Sequence, residues 1–228
     1  MQKYKSSELS RARIFKAIHE AAPENQASKS DIATEALALL SLSEGARPEL
    51  LSSDAAEAMI MRIQAGLVIG TTIEKIKTLD SLPTTVQSFL DKYALPPCIK
   101  IQDLSDFQSL DWGVISTNSD VREDNSVGLC LAEYGVAETG SFVVHSSPEM
   151  PILINFLPLY LLAVVPKSKI LHYMDDYALI ANDIAKHAKT PRNMCLISGV
   201  SGTTDIEGVL VQGAHGPKIL HIIVVEDI

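Results

Sequence analysis

Helical and strand-like apolar patterns alternate along this chain of 228 residues, and that alternation constrains the fold most. Residues 54–67 and 82–93 place apolar side chains at helical spacing, whereas residues 71–76 and 98–101 have the pattern of short strands. This order is typical of a layered domain in which helices cover a sheet of mainly parallel strands. The sequence therefore predicts an α/β domain with a mainly parallel central sheet.

The same rhythm continues to the end of the chain. Strands are predicted at residues 112–117, 127–131, 159–165, 194–197 and 219–225, with a short buried helix within 148–158 and an amphipathic helix at 174–189. The start of the chain is polar and has one short amphipathic pattern. We therefore predict an N-terminal helical arm at residues 1–30, followed by the α/β domain at residues 31–228.

The charge balance excludes one class of partner. The net charge is −9, and the 19 Lys and Arg residues form no local cluster. An acidic surface repels phosphate, so we expect no binding to nucleic acid or to anionic membranes.

The most apolar stretch, residues 151–166, is shorter than a bilayer span and is interrupted by Pro158. No membrane span and no signal peptide are predicted.

The cysteines and histidines show no metal-binding spacing. Cys130 and Cys195 lie inside apolar runs, and with Cys98 they form no C-x-x-C pair. Their pattern indicates buried small side chains and suits a reducing cytoplasm. We predict a cytoplasmic protein with no metal and no cofactor.

A first polar cluster, residues 138–141, lies between two strand-like runs. Glu138 precedes Thr139 and Gly140, and Ser141 follows. A carboxylate held at such a turn can act as a base, and glycine lets the backbone approach a ligand closely. We therefore predict ligand contacts from Thr139, Gly140 and Ser141. The alternative interpretation is an ordinary turn with a solvated glutamate.

A second cluster follows the strand predicted at residues 194–197. Its free backbone amides and hydroxyls predict a ligand-binding turn, with ligand contacts from Ser198, Gly199, Ser201 and Thr203. Asp205 and Glu207 oppose a bound phosphate, because their charge takes the place of an anion. They suit a sugar hydroxyl, an amine or a divalent cation equally well.

His215 completes the predicted site. Glycines near it, Gly213 and Gly216, indicate a tight turn that presents the imidazole, although a purely structural turn histidine has the same pattern. We predict that the acidic pair Asp205 and Glu207 converges with His215 and with residues 138–140 on one cleft. The predicted catalytic residues are Glu138, Asp205, Glu207 and His215.

In this order and spacing, the two clusters resemble the lactate-utilisation protein C family, whose hallmark is the LUD domain. The resemblance runs from about Ala55 to the end of the chain and is strongest from Val127 onward. The matching residues are Ala137-Glu138-Thr139-Gly140, Ile197-Ser198-Gly199, Ser201, Thr203, Asp205-Ile206-Glu207, His215-Gly216-Pro217 and Leu220-His221. The chain departs from the family pattern at Val200, Gly202 and Thr204, where the family commonly has Pro, Arg and Ala.

The resemblance implies a three-layer α/β/α fold similar to the ribose-5-phosphate isomerase and CoA-transferase group. It also implies a role in oxidising L-lactate to pyruvate together with two companion proteins that carry iron–sulfur motifs. Three scattered cysteines cannot supply the four ligands of a cluster, so this chain would be a non-redox component that binds a small organic acid or a partner.

Two other functions are compatible with the same residues. One is an independent isomerase or acyl-transferase that uses a carboxylate as general base or nucleophile. The other is a non-catalytic scaffold or binding module in which the polar turns only shape the fold.

Overall fold

The computed structural model describes residues 2–22, 27–40, 47–120, 126–187, 190–204 and 208–228. The chain forms two compact units, residues 1–47 and residues 48–228. The first unit contains helices α1 (Gln2–Ala21) and α2 (Lys29–Leu40). Helix α1 lies within the helical arm predicted at residues 1–30, and the predicted boundary at residue 30 stays a prediction.

A six-stranded parallel sheet forms the centre of the second unit. Its order is β1-β12-β7-β4-β2-β3, and all neighbouring strands are parallel. The prediction of a mainly parallel central sheet is therefore confirmed. The strands are β1 (Thr71–Ile76), β2 (Cys98–Ile101), β3 (Ser116–Asn118), β4 (Val127–Leu131), β7 (Tyr160–Pro166) and β12 (Ile219–Val225).

Helices cover the central sheet because alternate strand residues point to opposite faces. One face buries Leu162 and Val164 of β7 against helices α4 (Leu82–Lys92) and α5 (Ser105–Gln108). The other face buries Leu161 of the same strand against helix α3 (Ala55–Gln64). Because β7 and β12 are buried on both faces, their sequences are nearly continuous apolar runs, interrupted in β12 only by His221.

A second, four-stranded sheet was not predicted. Its order is β8-β5-β6-β9, and β6 is antiparallel to both of its neighbours. Helix α6 (Met174–His187) buries Tyr177 against this sheet. The hairpin of β5 and β6 was missed because its strands are short and joined by a turn that contains one glycine. The strands are β5 (Tyr134–Val136), β6 (Ser141–His145), β8 (Ile170–Leu171) and β9 (Met194–Ile197).

Two local predictions differ from the structure. Residues 112–115 do not form a strand: Gly113 has φ +55°, and β3 begins only at Ser116. The predicted buried helix within residues 148–158 is a single 3-10 turn, Ile152–Asn155. Pro151 and Pro158 enclose this turn, and proline is disfavoured inside a longer helix.

Candidate functional site

A chain of three hydroxyl groups joins the two clusters. The Oγ1 of Thr139 lies 2.6 Å from the Oγ of Ser141, which lies 2.5 Å from the Oγ of Ser198. Ser141 is fully buried at the start of β6, and Ser198 is exposed directly after β9. Phe142 and Ile197 are partners in the β6–β9 ladder, so the residues next to them also meet. The structure thus brings the two stretches together.

Val68 occupies the space between the glycines of the two clusters. Gly140 and Gly199 have φ values of +67° and +117°, a region that favours glycine. A Cβ on Gly140 would lie 2.6 Å from one methyl group of Val68, and a Cβ on Gly199 would lie 3.3 Å from the other. The close approach that these glycines permit is therefore to the loop before β1.

The carboxylate of Glu138 caps helix α6. Its Oε2 accepts a hydrogen bond of 2.8 Å from the backbone N–H of Met174, the first residue of α6. The N–H groups at a helix start lack intrahelical partners, and the helix dipole favours a negative charge there. Glu138 therefore has a structural contact that its sequence context did not suggest.

The stretch after Ser201 folds back as a small hairpin. Strand β10 (Gly202–Thr203) is antiparallel to β11 (Val211–Gln212). Thr203 is thereby held in a ladder rather than in an open turn. The predicted residues Asp205 and Glu207 lie outside the residues that the structure describes.

A cavity of about 310 Å³, here called the serine cavity, lies beside this hairpin. The N–H of Ser201 donates to the carbonyl of Pro217, and the N–H of Gly213 donates to the carbonyl of Ser201, both at 2.9 Å. These bonds bring the exposed His215 to the same cavity wall. The lining residues are Asn155, Phe156, Leu196, Ile197, Ser198, Gly199, Val200, Ser201, His215, Gly216 and Pro217.

The structure thus groups only part of the predicted site. Ser198, Gly199, Ser201 and His215 line the serine cavity, whereas residues 138–141 do not. Ser141 reaches it only through its hydrogen bond to Ser198. Among the residues that the structure describes, the lining has hydroxyls, one imidazole and one amide, but no Lys, Arg, Asp or Glu. Its side chains can therefore bind a polar ligand through neutral hydrogen-bonding groups and one titratable ring.

Sequence reasoning missed Asn155. It is the last residue of the 3-10 turn and is 1 % exposed. Its Nδ2 donates to the carbonyl of Ile152 at 3.3 Å, while its Oδ1 is buried and has no partner among the described residues. Buried polar groups are nearly always hydrogen-bonded, so an unpaired acceptor at a cavity wall is a candidate contact for a ligand. The sequence signal that could have identified Asn155 is its single amide side chain inside an otherwise apolar run.

The serine cavity lies at the amino ends of the parallel strands. Ser201 is bonded to Pro217 just before β12, and the N–H of Lys218 donates to the carbonyl of Leu159 just before β7. Open α/β sheets usually bind ligands at the carboxyl ends. The turn after β9 lies at the opposite edge because β9 belongs to the second sheet.

His221, a residue of the family match, lies away from this cavity. It is buried on β12, where its Nδ1 lies 2.7 Å from Thr72 Oγ1 and its Nε2 lies 2.7 Å from Glu74 Oε1. The ring of Phe89 stacks on its imidazole at 5.5 Å. Burial lowers the pKa of His221, and the neighbouring Glu74 carboxylate opposes that shift. These hydrogen bonds join β12 to β1, so the contacts of His221 stabilise the sheet.

Two kinds of feature were not found in the described part of the chain. No group of three or more His, Cys, Asp or Glu side chains is arranged to hold a metal ion within it. None of its helices combines the length and the apolar character needed to cross a membrane.

The LUD domain profile matches residues 10–225 of the chain. The chain belongs to the LUD domain family. This match includes the hydroxyl chain, the serine cavity and the His221 cluster. The resemblance on which the sequence prediction rested is therefore confirmed.

Several named bacterial proteins are similar in sequence to this LUD domain protein. Lactate utilization protein C of Geobacillus thermodenitrificans is 40% identical over 111 residues, which are 48% of this chain and 46% of that protein. The protein of the same name from Bacillus subtilis is 36% identical over 106 residues, 46% of this chain and 44% of that protein. The uncharacterized protein YkgG of Escherichia coli is 35% identical over 111 residues, 48% of each chain. The matches thus span about half the length of these relatives.

One solved structure shares the fold of this LUD domain. It is a DUF162 family protein from Deinococcus radiodurans, with a TM-score of 0.55 and 18% sequence identity. The similarity covers 76% of this chain and 99% of that one.

Proposed function

We propose that this protein is a non-redox, cytoplasmic component of an L-lactate-oxidising system and that its serine cavity binds a small organic acid. Membership of the LUD domain family and relatives named Lactate utilization protein C support the lactate role. The observation that carries the cavity assignment is the meeting of the two clusters at Ser141 and Ser198, on the wall of the serine cavity.

The chemistry of the serine cavity suits a small carboxylate. Ser198 and Ser201 offer hydroxyl donors, and His215 offers a ring nitrogen. The Oδ1 of Asn155 adds an acceptor that needs a donor, such as the hydroxyl of a hydroxy acid. The described part of the lining has no carboxylate that would repel an organic anion.

The cysteines favour redox centres on other proteins. Cys130 is fully buried, and burial raises the pKa of its thiol. Cys98 and Cys195 are half-buried, and no group of potential metal ligands forms within the described residues. Iron–sulfur clusters require several thiolates at one place. We therefore assign the electron-transfer groups to iron–sulfur partner proteins.

A complementation experiment tests this function. The gene is deleted in its host, and growth on L-lactate as sole carbon source is compared with growth on glucose. We expect a defect on L-lactate alone, restored by the wild-type gene. Normal growth of the deletion strain on L-lactate would show that the proposed role is wrong.

Two serine variants test the cavity separately. Ser198→Ala removes a hydroxyl from the cavity wall, and Ser88→Ala removes one from the exposed surface of α4. We expect Ser198→Ala to weaken binding of L-lactate to the purified protein, measured by calorimetry, whereas Ser88→Ala does not. Equal binding by both variants would remove the serine cavity as the binding site but leave the lactate role open.

The isomerase or acyl-transferase alternative stays a prediction. Of the carboxylates proposed for this alternative, the structure describes Glu138. Its Oε2 accepts a hydrogen bond from the backbone N–H of Met174 at the start of α6. Incubation of the pure protein with sugar phosphates and acyl-CoA esters would test this alternative, and turnover that is lost in Glu138→Gln would establish it.

A further inference from the structure

A second cavity, of about 760 Å³, lies along the same 3-10 turn and is here called the Glu133 cavity. The turn residues Ile152 and Leu153 line it, whereas Asn155 lines the serine cavity. Its wall combines apolar side chains and three proline rings with the charged residues Glu133 and Arg192 and the imidazole of His145. Neither the predicted site nor the proposed lactate role uses this cavity.

The Glu133 cavity lies toward the carboxyl ends of two central strands. Glu133 follows β4 after a single residue, Ala132, whose N–H donates to the carbonyl of Val164. The N–H of Asp103, just beyond β2, donates to the carbonyl of Glu149 beside the cavity-lining Met150. Ligands of open α/β sheets bind at this edge. The position is therefore the one at which the fold itself favours a binding site.

Some polar groups of the wall serve to build it. The N–H of Asn193 donates to the Oγ of Ser146 at 3.0 Å, and the hydroxyl of Ser147 donates to Glu149 Oε2 at 2.9 Å. These contacts fix the two segments that enclose the cavity. They do not involve the charged groups of the wall.

The charged groups of the wall have no ion-pair partner in the described part of the chain. Glu133 is half-buried and Arg192 is exposed. The Nε2 of His145 lies 2.9 Å from the hydroxyl of Tyr177, and its Nδ1 has no hydrogen-bond partner among the described residues. Burial lowers the pKa of His145, and the carboxylate of Glu133 opposes that shift. Among the described residues, the wall thus carries one negative charge, one positive charge and one imidazole ring.

We propose that the Glu133 cavity binds a small zwitterion, an amino acid with an apolar side chain. Its carboxylate pairs with the guanidinium of Arg192, and its ammonium group pairs with the carboxylate of Glu133. The apolar side chain packs against Met150 and Ile152. A simple anion or cation would meet only one of the two charges, whereas a zwitterion compensates both. Binding of amino acids would give the protein a second ligand, independent of lactate.

Calorimetry with three related compounds tests this inference. L-leucine carries both charged groups, isocaproate lacks the ammonium group, and isoamylamine lacks the carboxylate. We expect L-leucine to bind. Isocaproate and isoamylamine should each bind at least about tenfold more weakly, since each loses one charge-assisted bond. Glu133→Gln and Arg192→Gln should each weaken L-leucine binding by about the same factor. Ser198→Ala, in the serine cavity, should leave it unchanged.

Two readouts separate binding from folding. The unfolding midpoint of each variant shows whether it is folded, and the Nδ1 resonance of His145 in NMR spectra reports on the cavity itself. L-leucine should shift that resonance in the wild-type protein, and isoamylamine should shift it less. The proposal is wrong if L-leucine, L-valine and L-methionine all fail to bind at millimolar concentration, or if isocaproate or isoamylamine binds as tightly as L-leucine.

Discussion

At the scale of single residues, the glycines of the two clusters serve packing more clearly than ligand binding. Gly140 and Gly199 enclose Val68, and each has a backbone conformation that costs other residues energy. A sequence shows that a glycine is present but not which atom lies above it. The structure therefore accounts for these glycines by close packing against Val68, and a ligand contact at them stays a prediction.

Gly140→Ala should destabilise the protein more than Gly66→Ala. Both glycines have similar positive φ, +67° and +73°, so both variants carry a backbone strain of about 1–2 kcal/mol. Only at Gly140 would the new Cβ meet Val68, at 2.6 Å, whereas nothing lies within 4 Å at Gly66. We expect a further loss of about 1–3 kcal/mol in Gly140→Ala, measured by urea unfolding. Equal losses would show that Val68 moves without cost.

His221 should make the stability of the protein depend on pH. Because burial lowers its pKa in the folded state, the unfolded chain binds the proton more readily, with a pKa of about 6.5. Its contribution is fully present above that pKa and is lost as the pH falls toward the folded pKa. The free energy of unfolding should therefore fall more steeply from about pH 7 to pH 5 in the wild type than in His221→Gln. His187→Gln, at an exposed site, should keep the wild-type slope.

At the scale of elements, apolar and alternating patterns predicted most of the longer strands well. The strands β1, β2, β4, β9 and β12 have the predicted limits, because each is an apolar or alternating run bounded by turn residues. Strands of two or three residues, such as β5 and β8, carry too few side chains to show a period. The second sheet, which carries Ser141, was missed for this reason.

Glu138→Ala should loosen the start of helix α6. The variant removes the acceptor of the Met174 N–H and the negative charge at the helix start. We expect a loss of about 0.5–2 kcal/mol and faster hydrogen exchange at Met174 and its neighbours. Glu138→Gln keeps a hydrogen-bond acceptor at the helix start, so its free energy of unfolding should fall by less. If Glu138 were catalytic as well, Glu138→Gln would abolish activity with little change in hydrogen exchange.

At the scale of the whole molecule, stability resides in the second unit. Every buried apolar residue of the described chain lies at Ala55 or later. We therefore expect a protein of residues 48–228 to fold by itself, with an unfolding midpoint close to that of the full chain. Circular dichroism during thermal unfolding measures this directly. A molten or aggregated fragment would show that residues 1–47 are needed for folding.

The sequence by itself determined the class of the fold, the family and the stretch that carries the serine cavity. These follow from local patterns, namely the spacing of apolar residues and the order of polar turns. The tertiary structure alone decided which residues share a cavity. Ser141 and Ser198 meet because β6 and β9 pair, and Asn155 joins them through the chain after β6. Contacts between distant residues depend on strand pairing, which a local pattern does not specify.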